Sequence, residues 1–293
     1  MTRVRYLGDD GCGSSVSGAE LHIHTTASDG VLSPQQAVEH ALALDLDALA
    51  ITDHDTMAGV PEAQRRAGRE IEIVPGIEIS CEEDGAPVHL LAYWLDPSHP
   101  ELGEELAKIR ESRQTRVVRM VARLQELGYP ITLERVLRFV QRGTPGRPHV
   151  ARALVEEGVI RHPDEAFTPE LIGTEGAAYV EKYALEPSRA VRLVRESGGV
   201  PVIAHPGLHR GSEWVSESII ESMVEAGLVG LEVVHIGHTP EQVAHFGALA
   251  GRLGLVSSAG SDCHGERQPM SMGQCRATKE TLEALRSHRA GSR

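Results

Sequence analysis

From Ala19 onward, short apolar runs alternate with segments of helical periodicity, and that rhythm confines the chain to few architectures. AELHIH reads as a strand, and SPQQAVEHALAL as a helix with Ser33 as N-cap and Pro34 behind it. LDALAIT, IEIVPGIEIS and VHLLAYWL read as further strands, the first buried on both faces, with a helix over PEAQRRAGRE between the first two. After a long interruption the rhythm resumes in VPVIAHP, LVGLEVVH and LVSSAGSD, each preceded by an amphipathic helix. Six or seven βα units predict a parallel sheet rolled into a barrel, with function at the C-terminal ends of the strands.

The interruption defines the expected organisation. Residues 19–99 and 181–293 form the α/β barrel domain, residues 100–180 a mainly helical insertion, or cap, and residues 1–18 a flexible leader. One helix is expected over residues 101–127, with more helix around ITLERVLRFV and PHVARALVEEG. Residues 101–160 carry eleven Lys/Arg against eight acidic residues, although the whole chain is at −13. Arg110, Arg113, Arg116, Arg119 and Arg123 recur on one helical stripe, readable as a solvated face or as a lid showing positive charge to an anionic substrate. No apolar run is long enough to span a membrane, and the leader lacks the apolar core of a secretory signal. Four cysteines without a CxxC pair read as reduced thiols, and a cytoplasmic setting is expected.

Fifteen histidines are far more than a core or a surface of this size calls for. Six of them gather at strand ends beside carboxylates. His22 and His24 alternate on the first strand, with Asp29 in the following Ser-Asp-Gly turn. His54 ends the second strand, Glu78 lies in Pro-Gly-Ile-Glu, and His89 lies on the next strand. His205 closes PVIAHPG, while Asp262 and His264 close SAGSDCH. Gathered at one barrel mouth, these groups would repel and desolvate one another unless cations held them together. Imidazole and carboxylate suit Zn²⁺, Mn²⁺ or Fe²⁺, and nine ligands suit two or three ions with a shared carboxylate. Such clusters generate hydroxide and clamp a phosphoryl group.

The motifs LHIHTTASDG, ITDHDT, PGIEIS, VIAHPG and GSDCHG, in this order across residues 21–265, resemble those of the PHP (polymerase and histidinol phosphatase) superfamily of metal-dependent phosphoesterases. The resemblance implies a distorted (β/α)7 barrel. It implies a first metal on His22, His24, Glu78 and Asp262, with Glu78 bridging to a second on His89 and His205. A third would rest on Asp29, His54 and His264. The insertion, with GRPHVARAL, is similar to that of the standalone nucleotide-phosphatase branch. Asp29 stands where histidinol-phosphatase-like members carry His, which favours that branch and, as a harder ligand, Mn²⁺.

The expected chemistry is hydrolysis of a small nucleotide phosphomonoester, a 5′-monophosphate such as AMP or a 3′,5′-bisphosphate, by a hydroxide held between metals. Glu78, Asp262 and His205 are the expected catalytic groups. Arg147 and His149 are candidates for gripping phosphate, with an Arg fork matching its geometry. His235 and His238, in VVHIGH, could line the substrate side or protonate the leaving oxygen, and His209 is unassigned. Net acidity and 3% aromatic residues count against duplex nucleic acid and a stacking channel. An exonuclease on short oligonucleotides and a histidinol phosphatase are the nearest alternatives. An amidohydrolase would want a strand-end lysine, whereas Lys108, Lys182 and Lys279 all lie elsewhere. A metal-binding regulatory domain would be expected to have lost ligands, and all nine are present.

Overall fold

The computed structural model describes residues 18–83, 85–174, 176–208, 214–265 and 270–289; most of the leader, Cys12 and His209 lie outside them. Seven strands form one sheet in chain order: β1 (Ala19–Glu20), β2 (Ala48–Ile51), β3 (Glu72–Glu83), β4 (Ala86–Tyr93), β5 (Val200–Ile203), β6 (Gly230–His235) and β7 (Val256–Gly260). β2 and β5 are four-residue runs buried throughout, which is why they read as continuous apolar stretches rather than alternating ones. Beyond β1 and β7 the sheet curls almost shut. Ile23 bridges Cys263, and the His24 N–H donates to the Cys263 carbonyl at 2.9 Å. That closure sets LHIHTTASDG beside GSDCHG.

The all-parallel expectation needs one correction. β1, β2 and β3 are parallel, as are β5, β6 and β7, but β4 is antiparallel to both its neighbours. Only two residues separate β3 from β4, too few for a crossover helix, so the chain must turn straight back. The result is a distorted barrel of seven strands with helices outside it. α1 (Pro34–Ala43) starts at the Ser33 capping box, α2 (Val60–Ala67) follows β2, and α6 (Pro187–Glu196), α7 (Glu217–Glu225) and α8 (Pro240–Leu253) alternate with the later strands.

α3 (Pro100–Glu126), α4 (Leu133–Arg138) and α5 (Arg147–Glu156) make up the insertion with a short 3-10 turn at Pro163–Ala166. Its apolar faces enclose a core of their own, including Val121, Leu124, Val136, Val150, Leu154 and Ile172. α3 serves both cores. Leu102, Leu106 and Ile109 pack with the barrel, and Val117 onward with the insertion.

The arginine stripe of α3 divides: Arg119 and Arg123 are exposed, as a solvated face would be, whereas Arg110, Arg113 and Arg116 turn inward. Arg110 donates to the Asp55 carbonyl at 2.9 Å, Arg113 Nε meets Asp55 Oδ2 at 2.9 Å, and buried Arg116 donates to the Val180 carbonyl at 2.6 Å. These three stitch the helix to the turn after β2, to Ser80 of β3 and to Val180 of the returning segment. A 3–4-residue spacing specifies a face but not what covers it. Cys81, Cys263 and Cys275 are buried free thiols, and Cys263 packs with Ile23 and Ala37 in the core. No helix among the described residues is long and apolar enough to cross a membrane.

Candidate metal centre

The turn after β1 is built by a carboxylate that is not itself in the cluster. Asp53 accepts the Thr25 N–H at 2.7 Å and the hydroxyls of Thr25 and Ser28 at 2.8 and 2.6 Å, folding TTASDG so that Asp29 faces inward. On the other side of His54, Asp55 accepts the Ser80 N–H at 2.7 Å and pairs with Arg113. The sequence therefore brackets His54 with two structural carboxylates in Thr-Asp-His-Asp.

The nine expected ligands converge. Glu78, fully buried, stands at their centre. Its Oε1 lies 2.9 Å from His89 Nδ1 and 3.1 Å from His205 Nε2. Its Oε2 lies 2.9 Å from His54 Nδ1 and 3.1 Å from His24 Nε2. One oxygen thus faces each half of the cluster, the arrangement a bridging carboxylate requires. Asp262 Oδ1 lies 3.0 Å from His24 Nε2 and 3.4 Å from His22 Nε2. Asp29 Oδ1 lies 3.4 Å from His264 Nε2.

Three subsets have donor atoms close enough to share an ion: His22, His24, Glu78 and Asp262; His24, Asp29, His54 and His264; and His54, Glu78 and His89. The first repeats the expected first site. In the others, His24 joins the Asp29 group, and His54 rather than His205 joins Glu78 and His89, because His24 and His54 each turn their two nitrogens toward different neighbours; His205 is in none of the three, although its Nε2 lies 3.1 Å from Glu78 Oε1.

The donor chemistry fits cations. His24 Nδ1, Asp29 Oδ1, His54 Nδ1, Glu78 Oε2 and Asp262 Oδ1 are buried without a hydrogen bond of proper geometry among the described residues, although His54 Nδ1 stands 2.9 Å from Glu78 Oε2. Close approach without hydrogen-bond direction is what donors aimed at a common third point show. Burial alone would raise the Glu78 carboxyl, but His54, His89 and His22 hold it well below the usual carboxylate range. Asp29 and Asp262 behave alike, with His54 and His264 foremost against burial in turn. Burial pushes His89 down to about 4, whereas Asp262 and Asp29 overcome burial to push His264 up to about 10. All three carboxylates are thus ionised at neutral pH, as ligands must be.

A cavity of about 460 Å³ opens over this floor, and insertion residues Arg147, Pro148, Pro163, Asp164 and Phe167 line its other wall. Arg147 lies over the Phe167 ring, 5.6 Å from its centroid. His235 also lines the cavity. Its Nδ1 accepts the Gly237 N–H at 3.0 Å, which leaves the proton on Nε2, a buried atom with no partner among the described residues.

His149 and His238 sit differently from expectation. His149 Nδ1 accepts the Gly146 N–H at 3.0 Å at the start of α5, and His149 is not part of the cavity wall. His238 Nδ1 meets the Val233 carbonyl at 2.9 Å and its Nε2 accepts the Gly207 N–H at 3.1 Å, so both nitrogens are engaged inside the chain. One residue with no place in the sequence reading is Glu232, fully buried on β6 and 3.1 Å from His22 Nδ1. Its signal is a lone charge in the apolar run LVGLEVVH.

The PHP domain family model matches residues 20–133. The 5′-3′ exoribonuclease Rnm of Escherichia coli is 34% identical over 249 residues, 84% of this chain and 84% of that protein. The chain belongs to the PHP family. A second PHP relative, the 3′,5′-nucleoside bisphosphate phosphatase of Chromobacterium violaceum, is 34% identical over 248 residues, covering 84% of this chain and 86% of that protein. A solved structure described as a metal-dependent phosphoesterase from Bifidobacterium adolescentis has a TM-score of 0.86 at 34% identity, covering 94% of this chain and 97% of that one. The present chain is accordingly a metal-dependent phosphoesterase, an enzyme that hydrolyses phosphate esters.

Proposed function

We propose that this PHP enzyme is a phosphatase of small nucleotides, releasing phosphate from a nucleoside 5′-monophosphate or a 3′,5′-bisphosphate, with Mn²⁺ as the preferred metal. The observation that carries this reading is the shared cavity. The ligand floor and the insertion wall enclose a space at the scale of one small-molecule ligand. When bound, divalent cations supply Lewis acidity that lowers the pKa of water and offsets phosphoryl charge.

The chain's own residues do the rest. Glu78, Asp262 and His205 hold the floor beneath the scissile phosphate. Arg147, on the facing wall, offers a planar fork to the phosphoryl oxygens. Burial pushes His235 down to about 4, so the ring is neutral at pH 7 and acts as a hydrogen-bond donor through Nε2–H rather than as an imidazolium acid. Pro148, Pro163 and Phe167 keep water from the ester. The three sites are proposed to be His22, His24, Glu78 and Asp262; Glu78, His89 and His205; and Asp29, His54 and His264. Residues 100–180 form the cap.

The runner-up is an exonuclease on short oligonucleotides, favoured by the exoribonuclease relative. A phosphate-release screen of the Mn²⁺-loaded enzyme separates the two. AMP, a 3′,5′-bisphosphate, short oligonucleotides and histidinol phosphate are compared. Preferred turnover of the mononucleotides is expected. Faster release of nucleotides from oligonucleotides, or a preference for histidinol phosphate, would overturn the assignment.

A further inference from the structure

Beneath the metal-binding face, Glu232 touches two proposed ligands that lie far apart in sequence. One carboxylate oxygen, Oε1, lies 3.1 Å from His22 Nδ1, and Oε2 accepts the backbone N–H of His205 at 2.7 Å. His22 Nδ1 also stands 3.3 Å from Oε2, so one carboxylate serves a donor on the strand-1 motif and a donor on the HPG motif. The site is built to admit this side chain. A Cβ on Gly260 of β7 would stand 2.4 Å from Glu232 Oε1 and 2.4 Å from the His22 Cβ, so only glycine lets the three strands approach.

Two consequences follow from the bonding. His22 carries its proton on Nδ1, toward Glu232, and presents the Nε2 lone pair to the cluster, where Asp262 Oδ1 and Glu78 Oε1 lie at 3.4 and 3.5 Å. His205 has φ 26°, a backbone conformation that a non-glycine residue keeps only where its surroundings enforce it. Its N–H bond to Glu232 is one such enforcement.

We propose that Glu232 is a positioning residue that couples two metal sites, fixing the ring tautomer of His22 and the strained backbone of His205 through one carboxylate. The inference rests on the reading of His22 and His205 as ligands. It assigns Glu232 no contact with substrate or metal. Glutamine cannot replace it. Glutamine has one acceptor oxygen: in the Oε2 place it can reach the His205 N–H at 2.7 Å and His22 Nδ1 at 3.3 Å, but the amide NH₂ then stands in the Oε1 place, 3.1 Å from His22 Nδ1, where two donors collide or the ring gives up its Nδ1 proton.

The test is a calorimetric Mn²⁺ titration of metal-free wild type and Glu232→Gln, with phosphate release measured at low and saturating Mn²⁺. Loss of a carboxylate behind a ligating histidine weakens metal affinity about 10–100-fold. Glu232→Gln is expected to bind Mn²⁺ more weakly by that factor and to recover turnover as Mn²⁺ is raised. An unchanged isotherm in the folded variant would overturn the proposal. No Mn²⁺ binding by the wild type would instead sink the ligand reading beneath it. Should the variant not fold, a long-range proton–nitrogen spectrum of the Zn²⁺-loaded wild type still decides: Nδ1 of His22 must be the protonated nitrogen, and an unprotonated Nδ1 contradicts the tautomer lock.

Discussion

At the scale of single residues, the account stands on Glu78. Each of its oxygens lies within 3.1 Å of two imidazole nitrogens, and glutamine would keep the volume while losing the charge and one acceptor. Glu78→Gln is expected to lower bound metal, measured by elemental analysis, and to reduce turnover by more than about 100-fold, beyond the usual effect of groups that only orient ligands. Full activity in that variant would refute the bridging role. Lys182 makes a different prediction. Its buried amine has no hydrogen-bond partner among the described residues, and burial, with Arg113 behind it, outweighs Asp55 to push its pKa down from 10.5 to about 7. Between pH 7 and 10.5 the unfolded chain holds a proton that the folded chain has shed, so stability rises with pH across that window. Lys182→Met should therefore raise Tm most at or below pH 7 and little near pH 10; equal shifts at both would contradict the assignment. The nine clustered residues were legible because polar residues at the ends of apolar strands break the pattern together. Glu232 was not, since one carboxylate in one strand carries no spacing to compare. Nor could spacing tell that His149 and His238 serve backbone amides, because that depends on which loop lies against the ring.

At the scale of elements, the alternation of strands and helices was readable, from the Ser33 cap of α1 to the glycine that ends α8. The direction of β4 was missed because an apolar run looks the same whichever way it pairs, and only the length of its connection to β3 forces the turn. The same limit applied to α3, whose arginines are spaced as a surface stripe yet bind Asp55 and Val180. How the insertion meets the TTASDG turn rests on Gly143. It has φ +83°, and a Cβ there would lie 2.0 Å from the Ala27 carbonyl oxygen. Gly143→Ala should displace the 140–146 segment from the TTASDG turn. Stability falls by about 1–3 kcal/mol, in the range for strained backbone positions, and kcat/KM falls with it. Thermal unfolding and steady-state kinetics check this, and an unchanged kcat/KM would show that the contact does not shape the cavity.

At the scale of the whole molecule, the barrel and the insertion have separate cores but share α3. A continuous helix running through both transmits loss of order from one to the other, so a single unfolding transition is expected in urea. Trp94 and Trp214 both pack on the barrel core and report it by fluorescence, while far-UV circular dichroism reports all the helices. Coincident curves support one cooperative unit, and separated midpoints would show that the insertion melts alone. The −13 charge of the chain takes on meaning at this scale too. Three of its carboxylates, Asp29, Glu78 and Asp262, are ionised in the floor of the cavity, as cation ligands would be, while Arg147 lines the same cavity from the insertion. The most direct test of the proposed function is phosphate release from AMP and from a nucleoside 3′,5′-bisphosphate by enzyme stripped with a chelator and then reloaded with Mn²⁺. No release from the stripped enzyme and recovery on reloading are predicted. Undiminished turnover without metal, or no turnover of either substrate after reloading, would contradict it.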